Sequence, residues 1–157
     1  MLSPEETKEI NRELRHGETS RAVCLEAMKI VQKHRGYVSD ESLDDLSGIL
    51  GMSVADLDSV ATFYNLIFRK PVGKHVILLC DSVSCWIMGY DTVLAHLGKR
   101  LGVGLGGTTP DNRFTLLTIP CLGACDRAPA MMIDDTLYGP LTPERIDDIL
   151  EDYRSSE

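Results

Sequence analysis

The chain has 157 residues, 43% of them apolar, and a formal net charge of −8 at neutral pH. That length suits one domain, or one domain with a small appendage, and the acidic balance argues against a nucleic-acid binder, which carries a basic face. No stretch approaches the roughly 20 apolar residues of a membrane span, and the opening MLSPEETKEINREL lacks the basic and apolar regions of a secretion signal.

Residues 1–70 read as a helical bundle. Ser3-Pro4-Glu5-Glu6 combines an N-cap serine, a first-turn proline and a glutamate three residues after the cap, so a capping-box helix is expected to run to about His16. A second helix, from about Thr19 to the stop at Gly36, carries Val23, Ala27, Ile30 and Val31 on one stripe. A third is expected over Asp40–Leu50, with Leu43, Leu46, Ile49 and Leu50 inward and Gly51 ending it. Ser53, with Asp56 three residues on, opens a fourth that runs to about Tyr64.

Lys70-Pro71-Val72-Gly73 is a turn-rich break, and residues 71–157 follow a different pattern. They read as a strand (75–80), a helix (86–101), a glycine-rich loop (102–113), a strand (114–120), a loop (121–128), two short strands (130–139) and a helix. Thr142-Pro143-Glu144 announces that last helix, which is expected to reach about Tyr153. The order gives a mixed sheet with one parallel crossover, which a thioredoxin-like α/β (α+β) layout satisfies.

Four of the five cysteines fall in this half, as Cys80 and Cys85 in CDSVSC and Cys121 and Cys125 in CLGAC. Each pair sits where an apolar strand pattern stops, so both loops are expected at one end of a sheet. Cys24 lies apart, beside the stripe of the second helix, and reads as packing. Four convergent thiolates bind a soft metal or an iron–sulfur cluster. Structural zinc prefers C-x2-C knuckles, so C-x4-C and C-x3-C are permissible for it but loose. A redox dithiol wants C-x-x-C, which neither pair has, and a Rieske centre wants two histidines in place of two cysteines, whereas His16, His34, His75 and His96 do not accompany the pairs in a C-x-H pattern. A [2Fe-2S] cluster on all four cysteines fits best.

The loops suit an anionic centre. Cys85 stands at the expected start of the 86–101 helix, Gly123 lets the backbone fold close, and Ser82 and Ser84 could donate hydroxyls to sulfur. Asp81 and Asp126 nearby would act on the potential in the opposite sense to hydrogen bonds. Gly102, Gly104 and Gly107 fit G-x-G-x-x-G, but a helix precedes them and no helix follows, the reverse of the dinucleotide context. No nucleophile elbow or P-loop is present.

The run GTTPDNRFTLLTIPCLGACDRAPAMMIDD, the CDSVSC loop, VATFYNLIFRKPVGKHVILLC and AMKIVQKHRGYV together resemble the 24-kDa-type (E-type) subunits of NADH:quinone oxidoreductase, respiratory complex I, over about residues 20–153. The resemblance implies a thioredoxin-like [2Fe-2S] ferredoxin domain over 71–157 behind a partner-docking helical bundle over 1–70. It implies Cys80, Cys85, Cys121 and Cys125 as the iron ligands and an electron-transfer role in the NADH dehydrogenase module. FMN and NADH would lie on a partner subunit, and the chain alone would have no catalytic activity. The expected place is the peripheral arm, on the cytoplasmic side of the inner membrane, with no insertion into it. Related small subunits occur in NAD-dependent formate dehydrogenases and bidirectional hydrogenases, and a zinc-stabilised interaction module is the alternative of a different class. By analogy with thioredoxin-like folds, the Ala128–Pro129 bond is expected to be cis.

Overall fold

The computed structural model describes residues 1–155 and divides the chain into two compact units, Met1–Pro71 and Val72–Glu157.

The first unit contains α1 (Pro4–His16), α2 (Ser20–Arg35), α3 (Asp40–Leu50) and α4 (Val54–Phe63). Each begins behind a hydroxyl cap, Ser3, Thr19, Ser39 or Ser53, that accepts from the amide three residues on. Ser3 and Glu6 form the full capping box. α2 and α3 end at left-handed Gly36 and Gly51. Ile10, Ala27, Met28, Val31, Leu43, Leu46 and Leu57 are fully buried in one core, with Cys24 beside them. The segment after α4 is held by side chains. Gln32 donates to the Leu66 carbonyl at 2.9 Å and accepts from the Phe68 amide at 2.6 Å, and Arg69 binds Asp58, Asp40 and the Val38 carbonyl.

The second unit is a four-stranded sheet with helices. β1 (His75–Cys80), β2 (Phe114–Ile119), β3 (Met131–Ile133) and β4 (Thr136–Tyr138) lie in the order β2-β1-β3-β4. β1 and β2 are parallel, with Cys80 opposite Ile119, and β3 runs antiparallel to both β1 and β4. Ile77 and Leu79 of β1 join Phe114, Leu116, Met131 and Ile133 in a core closed by α6 (Tyr90–Leu101) and α7 (Pro143–Ser155).

One element departs from the sequence expectation. The helix expected over 86–101 is broken into α5 (Val83–Ile87) and α6, with Gly89 at φ 112° between them. That dihedral is open to glycine and strained for other residues, so the chain changes direction there. The glycine-rich loop after α6 leads back along β2 and not to a helix. The Gly106 amide donates to Leu116, and the Leu116 amide to Gly107. The Ala128–Pro129 bond is cis, and so is Gly139–Pro140, which the sequence did not mark out.

Candidate metal centre

Cys80 is the last residue of β1, an interior strand. Because Ile77 and Leu79 face the core under α6 and α7, alternation turns Cys80 to the other face of the sheet. There it is buried with Cys85, Ala124, Ala128 and Ala130 in a small separate cluster edged by Leu122 and Leu137. Cys85 lies in the middle of α5, not at the start of a long helix, so the long-helix dipole expected for it is absent. The other apolar residues of this stretch point away from the cluster: Trp86 is 62% and Ile87 69% exposed, with Val83 and Met88 alongside.

The two thiol loops meet beside Cys80. From its own loop, Cys80 donates its thiol proton to Ser82 Oγ at 3.3 Å. From the other loop, Leu122 and Ala124, which lie between Cys121 and Cys125, pack into the same buried cluster as Cys80 and Cys85. Backbone bonds lock the junction: the Asp81 amide donates to Ile119 and the Cys80 amide to Ala130, each at 3.1 Å. Gly123, at φ 71°, turns the second loop so that its amide donates to Cys121 Sγ at 3.3 Å. Cys121 and Cys125 are exposed, and Cys125 opens a 3-10 turn, Cys125–Arg127.

Burial pushes the Cys80 thiol up, but hydrogen bonding of the ionised sulfur with the Ser82 hydroxyl and amide, the Leu122 amide and Cys85 outweighs it and holds Cys80 below its ordinary value. Cys85 goes the other way. Burial raises it, and the adjacent Cys80 raises it further, against an opposing hydrogen bond from the Ala130 amide. One thiol of the pair is thus prepared to ionise ahead of its neighbour, the pattern of two groups sharing a site.

The donor set, four thiols on two loops, suits a two-iron centre. Among the described residues, no three His, Cys, Asp or Glu side chains gather tightly enough to hold one metal ion. A [2Fe-2S] centre asks for two ligands on each of two irons, and two adjoining loops with two cysteines each offer that division. Three of the four histidines are engaged elsewhere, His34, His75 and His96 being bonded to Glu9, Asp134 and Asp147, and His16 is the last residue of α1. Cys24 is 4% exposed in the helical core of the other unit, and burial raises its thiol. Of the two loop serines, Ser82 is the one whose hydroxyl reaches sulfur.

The sequence profile of the thioredoxin-like [2Fe-2S] ferredoxin family matches residues 9–154. The E subunit of NADH-quinone oxidoreductase from Pseudomonas aeruginosa is 48% identical over 153 residues, covering 98% of this chain and 92% of that one. The protein of the same name from Escherichia coli is 50% identical over 153 residues, with the same coverage. Among solved structures, a chain of NAD+-reducing [NiFe]-hydrogenase in the H2-reduced state superposes with a TM-score of 0.69 at 24% identity, covering 83% of this chain and 22% of that one. At that identity the likeness is one of fold.

Proposed function

The chain belongs to the thioredoxin-like [2Fe-2S] ferredoxin family, and from that membership we propose that it is an electron-transfer subunit of an NADH:quinone oxidoreductase, as its relatives are named. In this reading Cys80, Cys85, Cys121 and Cys125 hold one [2Fe-2S] cluster. The observation that carries the ligand assignment is the packing of the two thiol loops into one small buried cluster, with Cys80 and Cys85 from the first and Ala124 and Leu122 from the second.

When bound, such a cluster takes up and gives back one electron. The chain's own residues supply the setting. The amide of Gly123 points its hydrogen at the Cys121 sulfur, which favours added negative charge. The alanines around Cys80 and Cys85 keep that side of the site dry. The glycine-rich loop lies along β2, so the nucleotide and the flavin belong on a partner.

That partner is an FMN- and NADH-binding subunit. It would approach the α5 side, where Val83, Trp86, Ile87 and Met88 are exposed beside Cys85. Asp81 and Asp126 next to them suit a basic surface, which speeds encounter more than it adds affinity. The helical unit, Met1–Pro71, supplies further docking area. The chain is then a peripheral part of a membrane complex, on its cytoplasmic side. Among the described residues no single helix is long and apolar enough to cross a membrane.

The test is to add NADH to the anaerobically purified chain, with and without the flavoprotein subunit, and follow the visible charge-transfer bands. Bleaching is expected only when the flavoprotein is present. Bleaching by NADH with no flavin would make the chain an NADH-oxidising enzyme itself, and a colourless, zinc-containing protein would make it an interaction module.

A further inference from the structure

Ser82 does not do what its position in the sequence leads one to expect. Five helices begin behind a Ser or Thr whose hydroxyl accepts from the amide three residues on: Ser3, Thr19, Ser39, Ser53 and Thr142. α5 begins in the same way, behind Ser82 with the extended backbone of a cap (φ −66°, ψ 163°), yet Ser82 makes no side-chain cap bond. Its hydroxyl is turned back to Cys80 Sγ, 3.3 Å away. The shortest of the α-helices therefore forgoes a stabilising bond that five others keep, and the hydroxyl goes to a sulfur instead.

We propose that Ser82 is a positioning residue for the iron–sulfur centre, donating its hydroxyl hydrogen to the Cys80 thiolate and so raising the reduction potential. The inference rests on the reading that Cys80 is an iron ligand. In the thiol form, the Cys80 S–H is the donor and Ser82 Oγ the acceptor. A ligating cysteine has lost that proton, and the only hydrogen then left between the two atoms is the serine's, so the bond reverses. A hydrogen bond to an ionised acceptor is stronger than one to a neutral group. Reduction adds one negative charge to the centre, so the donor stabilises the reduced form more than the oxidised one, and the potential rises. Asp81, beside it, acts in the opposite sense, which makes Ser82 the local counterweight to a carboxylate.

The experiment is a redox titration of the intact holo-chain, read by its visible bands and by EPR after dithionite reduction. Ser82→Ala should keep the cluster and the thermal stability, because no cap bond is lost. Its oxidised-to-reduced ratio at a fixed ambient potential should rise about tenfold, a fall in midpoint of ~59 mV for a one-electron couple. Ser82→Thr, which retains the hydroxyl, should titrate with the wild type. Ser82→Val, the threonine isostere without the hydroxyl, should titrate with Ser82→Ala.

An unchanged midpoint in Ser82→Ala, or a midpoint for Ser82→Thr as low as that for Ser82→Val, overturns the inference. Should Ser82→Ala fail to load, the Thr and Val pair makes the same comparison. Loading by Thr alone would assign the hydroxyl to cluster assembly and overturn the role in potential. A wild-type chain with no [2Fe-2S] spectrum would refute the ligand reading beneath, an outcome distinct from all of these.

Discussion

Cys24 and Cys80 are both buried thiols, and burial alone does not separate them. What does is the neighbourhood. Cys24 sits among Ala27, Met28 and Leu43, while Cys80 packs against residues of a second cysteine-bearing loop. Replacing Cys80, Cys85, Cys121 or Cys125 singly with Ser is therefore expected to abolish or cripple the visible spectrum, since each removes a thiolate with no spare at hand. Cys24→Ser should leave the spectrum intact and lower stability by about 1–2 kcal/mol, the usual cost of a polar atom in a packed core. Iron content, absorbance and a denaturant titration of the five variants check this, and a bleached Cys24→Ser beside a coloured Cys121→Ser would disprove the ligand set. At this scale the sequence was most readable, because paired thiols at strand ends have no packing explanation. The role of Ser82 was less so. CDSVSC offers two serines at similar spacing, and only the backbone of the turn decides which hydroxyl meets sulfur.

Between elements, α1 is fastened to α2 by a residue already engaged in its own cap. Glu6 closes the box with Ser3, and its carboxylate also takes two bonds from Arg35, Nε at 2.6 Å and Nη2 at 2.8 Å. It is only 2% exposed, and the Arg35 guanidinium holds its carboxyl down at about 2, from an ordinary 4.5. A depressed acid stabilises the fold above its unfolded value and loses that contribution as pH falls through the folded one. The helical unit is thus expected to lose about 3 kcal/mol between pH 4.5 and 2 from this group. Glu6→Gln should be less stable at neutral pH by about 2–3 kcal/mol, with a shallower acid dependence over the same window. Helix melting at pH 6 and pH 3 for both proteins measures it, and parallel acid curves would reject the assignment.

The break at Gly89 shows where periodicity misleads. Trp86, Ile87 and Met88 are apolar and run on towards Val93, Leu97 and Leu101, in keeping with the single helix expected over 86–101, but only the last three are buried. A five-residue helix has too few turns to own a stripe, and nothing in the residue types announces that.

Taken whole, the chain carries two cores that share no residue, one in the helical unit and one between the sheet and α6 and α7. All four candidate ligands and their supporting amides lie in Val72–Glu157. That unit expressed alone is expected to assemble the cluster and show the holo spectrum, while losing affinity for the flavoprotein partner. A colourless fragment would make the helices part of the cluster's foundation. Around Pro71 the sequence changes from helical periodicity alone to strand periodicity alternating with helical. It could not give the pairing order, because the placing of β3 between β1 and β4 depends on contacts made after the chain has turned twice.

The mounting of the four thiols also sets a direction of decay. Cys80 is anchored on an interior strand and, like Cys85, is buried, whereas Cys121 and Cys125 stand in solvent on a glycine-turned loop. Chelators and oxidants arriving from water would meet the second pair first, so a cluster held as proposed is expected to be dismantled from the loop inward, with buried Cys80 and Cys85 the last to let go. In the cluster-free chain a brief pulse of iodoacetamide, read by peptide mass, should modify Cys121 and Cys125 well ahead of Cys80, Cys85 and Cys24. Equal labelling of all five would mean that the strand end breathes as freely as the loop.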